Sequence, residues 1–295
     1  MLETDGRWVS GVAQLYDFVF AVLHSAPFIV VYVTRPAYRR INDVAIEGLK
    51  TPWDLTASPT TGHLYIADGS GHCLWRVKVD RPPPLADRDI HHVDVDFVKW
   101  TEDVGSPLSL SVTRRGEVVV VDGVSAELSV YAGDGETGVR IAVIQLKDKG
   151  IMAPWHAVQT SADTFIVCHG GGANSTSDRI CEIDKTGAVL KRWNGGETQR
   201  RQEQSGSATV DGVERRPLSR PGHLAPAAGG GTEYRKKCVM DSYDVKVLSG
   251  LLRVERILLQ RPPDTAPNWP TRLSYDGVTG RLVVLWCKGF IHVYQ

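Results

Sequence analysis

Short apolar segments of strand length, separated by turns rich in Gly, Asp and Pro, follow one another along most of the chain. The clearest example begins at Pro52 and runs PWDLTAS, GHLYIAD, SGHCLWRVKVD and HHVDVDFVKW. Segments of this kind, rich in Val, Ile, Tyr and Phe and bounded by turn residues, are typical of β-strands. Because helical periodicity is nearly absent, the sequence predicts an all-β protein.

The same unit of four strands recurs, and the chain divides into six units of about 49 residues each. A unit begins with Pro, replaced by Val9 in the first, and its second strand often ends in Asp. A single four-stranded sheet leaves both faces open to water, whereas six sheets packed around an axis bury them. The sequence therefore predicts one six-bladed β-propeller over residues 1–295, with four-stranded antiparallel blades at 8–48, 49–101, 104–149, 151–195, 219–261 and 267–295.

Three parts of the chain depart from the regular unit. The sixth unit has three strands, so the last blade is expected to be incomplete or closed by the N-terminus, with residues 1–7 as the closing strand. Residues 196–218 are polar and contain two Arg-Arg pairs, which predicts a mobile loop. The fifth unit carries Arg235, Lys236 and Lys237 in place of an apolar strand, and a loosened blade is predicted there because buried charge is costly.

Composition excludes some classes of protein. The chain has 34 Lys and Arg against 34 Asp and Glu, whereas a dedicated nucleic-acid binder needs a basic surplus for phosphate contacts. The five cysteines are scattered without C-x-x-C spacing, which fits buried thiols in a reducing compartment better than a zinc site. The N-terminus lacks the basic start of a signal peptide, so a cytoplasmic location is expected.

One apolar stretch, residues 12–33, has the length of a membrane span. Asp17, His24 and Pro27 interrupt it, and a charge at the centre of a bilayer is costly. Its pieces have the length and composition of strands. Adjacent buried strands are therefore predicted here, with no membrane partner.

The first three units share a residue pattern around their first and second strands. Its members are Gly11, Val12 and Ala13 in the first unit, Pro52, Leu55, Gly62, Leu64, Tyr65, Ile66, Ala67, Asp68, His72 and Trp75 in the second, and Pro107, Leu110, Gly116, Val118, Val120 and Asp122 in the third. With this pattern the units resemble NHL repeats, and the resemblance covers nearly the whole chain. It implies an NHL/TolB-like propeller, similar to the propeller-only NHL-like proteins of marine invertebrates and related to the NHL domain of tripartite-motif proteins. Those domains recognise a protein or an RNA, so the resemblance implies partner binding; without a Cys/His zinc array, ubiquitin-ligase activity is not implied.

The residue two positions after each initial Pro is expected near the start of the innermost strand, at one mouth of the central channel. Most NHL repeats have Gly there, whereas five of these six units have a polar side chain. Such a ring suits an anion, a metal or a peptide carboxylate. Alternatively, the side chains hydrogen-bond strand ends and channel waters. In chain order the residues are Gly11, Asp54, Ser109, His156, His223 and Arg272.

Two further sets of residues repeat at fixed places in the unit. Trp53 and Trp155 directly follow the Pro, and they are either exposed anchors for a protein partner or wedges between blades. Asp68, Asp122 and Asp241 end the second strand, where a carboxylate accepts hydrogen bonds from backbone N–H groups of the following turn. A structural role is expected for these three acids.

Three functions remain open at this stage. The favoured one is a non-catalytic, monomeric scaffold without a cofactor, which binds a protein or peptide at the channel mouth or on one face. The second is a metal-dependent hydrolase or lyase acting in the channel, with His156 and His223 as metal candidates. These histidines stand one residue later than the metal histidine of the similar peptide amidating lyase, and in a strand that changes the face, so the lyase mechanism is not transferred. The third is single-stranded RNA binding.

Overall fold

The computed structural model describes the chain in segments. These are residues 7–34, 38–80, 92–102, 104–160, 162–170 and 179–194, together with the backbone of seven further strands between residues 224 and 294. Residues 1–6 and 196–218, and the side chains of Arg235, Lys236 and Lys237, lie outside the described part. The predictions of a closing strand, a mobile loop and a loosened blade therefore stay predictions.

Four antiparallel sheets of four strands occupy the chain up to residue 194, and within each sheet every strand pairs with the next one along the sequence. The first two sheets are β1 (Val9–Leu15), β2 (Phe18–Leu23), β3 (Phe28–Val33) and β4 (Arg39–Ala45), then β5 (Pro52–Ser58), β6 (His63–Asp68), β7 (Cys73–Val79) and β8 (Val95–Thr101). The next two are β9 (Pro107–Val112), β10 (Val118–Asp122), β11 (Glu127–Ala132) and β12 (Val139–Gln145), then β13 (Pro154–Gln159), β14 (Phe165–His169), β15 (Arg179–Ile183) and β16 (Val189–Asn194). The predicted all-β class and four-stranded antiparallel blades are confirmed for this part.

The remaining strands also pair antiparallel in chain order. They are β17 (Leu224–Ala225), β18 (Lys237–Met240), β19 (Val245–Leu248) and β20 (Val254–Leu259), then β21 (Pro270–Asp276), β22 (Arg281–Trp286) and β23 (Phe290–Tyr294). A 3-10 turn, Lys147–Lys149, precedes β13. No helix in the described residues is both long enough and apolar enough to cross a membrane.

In each of the first four sheets the first strand is innermost and the fourth is outermost. Strands β1, β5, β9 and β13 lie side by side, and every residue of β1 is buried. In the outer strand β12, by contrast, every residue except Ile144 is exposed. This gradient from buried inner strand to exposed outer strand is what blades arranged around an axis produce.

Apolar side chains fill the junctions between neighbouring blades. Phe20 of the first blade packs in one cluster with Leu64 of the second. At the next junction the Trp100 ring lies 4.9 Å from that of Tyr65 and 6.1 Å from that of Tyr131, measured between centroids. Burial of one large side chain stabilises a fold by about 1.5–3 kcal/mol, and an aromatic pair adds about 0.5–1.5 kcal/mol. The blades are therefore held together mainly by their faces.

A buried carboxylate at the end of the second strand ties together the loops around it. Asp68 accepts hydrogen bonds from the backbone N–H groups of Lys50 and Thr51, both at 2.9 Å, and of Gly71 at 3.0 Å. The indole Nε1 of Trp75 also donates to it, at 3.3 Å. The carboxylate thus joins the turn after β6 to the segment that leads into β5.

The third blade repeats this arrangement. Asp122 accepts hydrogen bonds from the backbone N–H groups of Ser106 at 2.7 Å, Val124 at 2.8 Å and Ser125 at 2.9 Å. Asp241, at the corresponding place in the fifth unit, lies outside the described residues.

Replacing Asp68 with Ala should lower the free energy of unfolding by about 3–4 kcal/mol, because four donors, one of them the buried Trp75 indole, lose their acceptor. Asp184→Ala is a matched control, since Asp184 also accepts backbone hydrogen bonds but does so in a solvent-exposed turn. Denaturant unfolding measures both changes. Equal losses for the two variants would contradict the role assigned to burial.

Candidate functional site

Three of the predicted channel-mouth residues lie on neighbouring inner strands. Asp54 is on β5, Ser109 on β9 and His156 on β13, and all three are buried. The backbone of Arg272 is part of β21, opposite Leu285. His223 lies outside the described residues.

The buried polar side chains connect each blade to the next. Ser10 of β1 donates a hydrogen bond through Oγ to the carbonyl oxygen of Pro52, at 2.6 Å. Asp54 accepts one from the backbone N–H of Leu110 through Oδ2, at 2.9 Å. The hydroxyl of Ser109 contacts Nδ1 of His156. The four described inner strands are therefore linked in sequence by polar contacts at each junction.

The first position of this ring is Gly11, and close packing explains why. A Cβ at Gly11 would lie 2.5 Å from the backbone nitrogen of Leu55 and 2.8 Å from the carbonyl carbon of Asp54. Backbone atoms at that distance leave no space for a side chain. Strands β1 and β5 thus approach more closely than any residue other than Gly permits.

These contacts bear on the chemistry that the ring can perform. Ser109 and His156 are the residue types of a nucleophile and its base, but they are 0% and 2% exposed. The second carboxylate oxygen of Asp54, Oδ1, accepts a hydrogen bond from the backbone N–H of Leu55 at 2.9 Å. The observed contacts of Asp54 and Ser109 are therefore those of structural links between strands.

Potential metal ligands and cysteine thiols are the other chemically reactive groups of the described segments. No group of three or more His, Cys, Asp or Glu side chains is clustered for a metal ion within those segments. Burial raises the pKa of the Cys73 thiol to about 11 and that of Cys181 to about 12. Both thiols are protonated at neutral pH and are poor nucleophiles, because the thiolate is the reactive form.

Trp53 belongs to an aromatic cluster with Trp8 and His24, at the point where β1 begins, β2 ends and β5 begins. The His24 ring lies 4.9 Å from the rings of both tryptophans, measured between centroids. The two indoles meet edge to face at 6.3 Å. Trp8 is 43% exposed, so the cluster presents an aromatic surface to solvent.

The residue after the initial Pro lies against a glycine that follows the second strand of the same blade. A Cβ on Gly69 would lie 2.2 Å from the Trp53 ring, and one on Gly123 would lie 2.9 Å from Leu108. In the fourth blade Nε1 of Trp155 donates a hydrogen bond to the carbonyl oxygen of Gly170, at 2.6 Å. Trp53 and Trp155 are therefore partly buried against their own blades and partly exposed, and Trp53 also contacts the first blade through His24 and Trp8.

Two more apolar side chains are exposed at the same end of the blades. We call this end the upper face; it consists of the starts of the inner strands and the turns between second and third strands. Val124, in the turn after β10, is 84% exposed, and Met152, just before β13, is 53% exposed. The sequence analysis did not single out Val124, Met152 or Trp8. The position of Trp8, directly before the Val9 that replaces the initial Pro, would have placed it at the same end of the blades.

No protein-family model matches the sequence, and no curated protein matches it. Solved structures do match over nearly the full chain. Hydrazine synthase of Kuenenia stuttgartiensis has a TM-score of 0.62 at 14% identity and covers 100% of this chain and 97% of its own. The WD40 β-propeller domain of Doa1 has a TM-score of 0.57 at 12% identity, covering 100% of this chain and 94% of its own.

A third match is an enzyme. A catalytically inactive virginiamycin B lyase from Staphylococcus aureus with quinupristin has a TM-score of 0.56 at 12% identity, covering 99% of this chain and 86% of its own. Identity at this level shows the fold and nothing about activity. With the blades described above, these matches show that the chain has the β-propeller fold.

Replacing Asp54 with Ala should cost about 2–4 kcal/mol of stability, because the N–H groups of Leu55 and Leu110 both lose an acceptor. Asp54→Asn should cost roughly half as much, since its single amide oxygen keeps one of the two acceptors. Asp96→Asn, at an exposed position of β8, is the control and should be neutral. A neutral Asp54→Ala variant would refute the structural role of this carboxylate.

Proposed function

We propose that the chain forms one six-bladed propeller of the NHL type, with the blades at the ranges expected from the sequence. The four described blades and the strands β17–β23 supply the elements for six sheets. Strands β21 and β22 lie beside β1, as a closed ring requires. Val19, Val30 and Tyr32, in the cluster on the face of the first blade away from Phe20, are also buried. Burial of both faces of that blade supports closure.

Within this ring the function that the geometry supports best is a non-catalytic scaffold that binds a protein or peptide on the upper face. The observation that carries it is the aromatic cluster of Trp8, His24 and Trp53, with its exposed indole edge. Tryptophan is strongly enriched among the residues that dominate protein–protein affinity. The exposed side chains of Val124 and Met152 extend the apolar surface of the same face.

The buried ring supports the same choice over an enzyme. The carboxylate of Asp54 and the hydroxyl of Ser109 already bond to neighbouring strands. A substrate in the channel would have to displace those bonds and leave buried polar groups unsatisfied. The propeller fold itself does not decide the matter, because the solved structures that resemble this chain include an enzyme as well as a WD40 domain.

A peptide library displayed on phage, selected against the purified protein, tests the scaffold function. Peptides that bind should lose about tenfold or more in affinity for Trp8→Ala, because the variant removes the exposed half of the cluster. Leu190→Ala is the matched control: Leu190 is also exposed, but it lies on the outer strand β16. Selected peptides that bind the Trp8→Ala protein as tightly as wild type would contradict the proposed site.

Elemental mass spectrometry of the purified protein separates the scaffold from the enzyme. We expect no stoichiometric metal in the wild-type protein. One metal ion per chain, lost in the His156→Ala/His223→Ala double variant, would favour the metal-dependent enzyme instead. A steep dependence of single-stranded RNA affinity on salt would favour the RNA-binding alternative.

A further inference from the structure

Two neighbouring strands of the second blade bring three basic side chains together at the end of the blade opposite the upper face. His63 begins β6 and pairs directly with Lys78 of β7, while Arg76 pairs with Tyr65, two residues further along β6. Directly opposed residues of an antiparallel pair have Cβ atoms about 5 Å apart, and diagonal neighbours about 7–8 Å. Residues two apart on a strand share a face. His63, Arg76 and Lys78 therefore form one group, which we call the basic cluster.

The third blade holds the arginine of this cluster in place. Nη1 of Arg76 donates a hydrogen bond to the carbonyl oxygen of Gly135, in the turn between β11 and β12. Beside it, the hydroxyl of Tyr65 donates to the carbonyl oxygen of Gly133 in the same turn, at 2.9 Å. A guanidinium carries five N–H donors in a rigid plane. The contact with Gly135 thus orients the group by one donor, and the others are available to a ligand at the junction of the two blades.

The histidine of the cluster lies in a positive electrostatic potential. Burial lowers the pKa of His63, and the charges of Arg76 and Lys78 lower it further. The ring is therefore neutral at pH 7. Its Nδ1 is enclosed by protein and has no hydrogen-bond partner among the described residues, so Nε2 is the nitrogen that a ligand can reach. Two cations that disfavour a third positive charge at this place favour an anion there.

The described acids near the cluster leave this potential in place. Asp80 pairs with Lys78 at 3.6 Å, but their side chains are 83% and 59% exposed, and such pairs contribute little. Asp134 acts on Tyr65, whose pKa is raised mainly by burial and also by that carboxylate. Neither acid is hydrogen-bonded to His63. The charge complement of the cluster is therefore an anion that the described residues do not supply.

We propose that the basic cluster binds a phosphate group, with Arg76 and Lys78 supplying the charge and Nε2 of His63 a third hydrogen-bond donor. A guanidinium fork matches two phosphate oxygens, and an ammonium group binds phosphate as a point charge. A phosphate group carries nearly two negative charges at neutral pH and so balances both cations, whereas a carboxylate balances one. The neutral imidazole adds a donor without adding charge.

This site lies at the opposite end of the blades from the aromatic cluster of Trp8, His24 and Trp53. It therefore stands independently of the proposed scaffold function, and variants of one site should leave the other unchanged.

A titration of the full chain with inorganic phosphate at low ionic strength, followed by NMR of the histidine rings, tests the proposal. We expect a saturable shift of the His63 signals, with a dissociation constant at least about threefold higher for Lys78→Gln, because the variant removes one charge-assisted contact. Lys185→Gln is the matched control, since Lys185 is also exposed and ion-paired, with Asp163 at 3.1 Å. It should leave the dissociation constant unchanged.

The titration of His63 with pH gives a second readout. Sulfate is the probe here, because its charge stays the same between acid and neutral pH. Bound sulfate should raise the pKa of His63, since a nearby dianion favours the imidazolium. Without any anion, Lys78→Gln should also raise the pKa of His63, because one of the cations that lower it is then absent.

Three outcomes overturn the proposal. The first is a His63 signal that phosphate does not shift, or that chloride shifts equally at the same ionic strength. The second is an equal loss of affinity in Lys78→Gln and Lys185→Gln. The third is binding that appears only in Asp87→Asn/Asp89→Asn, because acids of the chain's own segment 81–91, which lies outside the described residues, would then be the partner of the cations. Comparison of O-phosphoserine with inorganic phosphate identifies the source of the group: tighter binding of the former indicates a phosphorylated protein, and of the latter a free anion.

Discussion

The fold depends on the burial of sheet faces between neighbouring blades. A four-stranded sheet of this composition is apolar on both sides, so it is stable only when another sheet covers each side. Trp100 shows the arrangement in one residue: it belongs to the second blade but packs in a cluster with Val118 and Tyr131 of the third. The number of blades is then set by closure, because any face left uncovered would expose an entire apolar layer.

Packing of this kind is strong but not directional, and the polar contacts supply the direction. Close approach at Gly11 limits how the first two inner strands pack. Asp68 fixes the segment that leads into β5, and Asp54 of β5 fixes the backbone of β9 at Leu110. The carboxylates of Asp54 and Asp68 are buried. Each of their hydrogen bonds contributes a modest free energy to folding, whereas losing one leaves a buried polar group unsatisfied and costs more. The contacts between blades thus account for the buried polar residues of the inner strands. Side chains that stay exposed are better placed to contact a binding partner.

Much of this arrangement was accessible from the sequence. The segments PWDLTAS and GHLYIAD match β5 and β6 because short apolar segments bounded by turn residues determine strands locally. The contact between Ser10 and Pro52, and the contact of His24 with Trp53, were not predictable in this way. They depend on the packing of two blades against each other, and a single sequence carries no record of which residues meet across a junction.

The exposure of β12 illustrates the same limit from the opposite side. Its sequence is as apolar as that of a buried strand, so the sequence pattern does not predict that it is exposed to solvent. The exposure follows from its position as the outer strand of the third blade. Two surfaces thus result from the fold, one at the ends of the blades and one at the edge of the third blade.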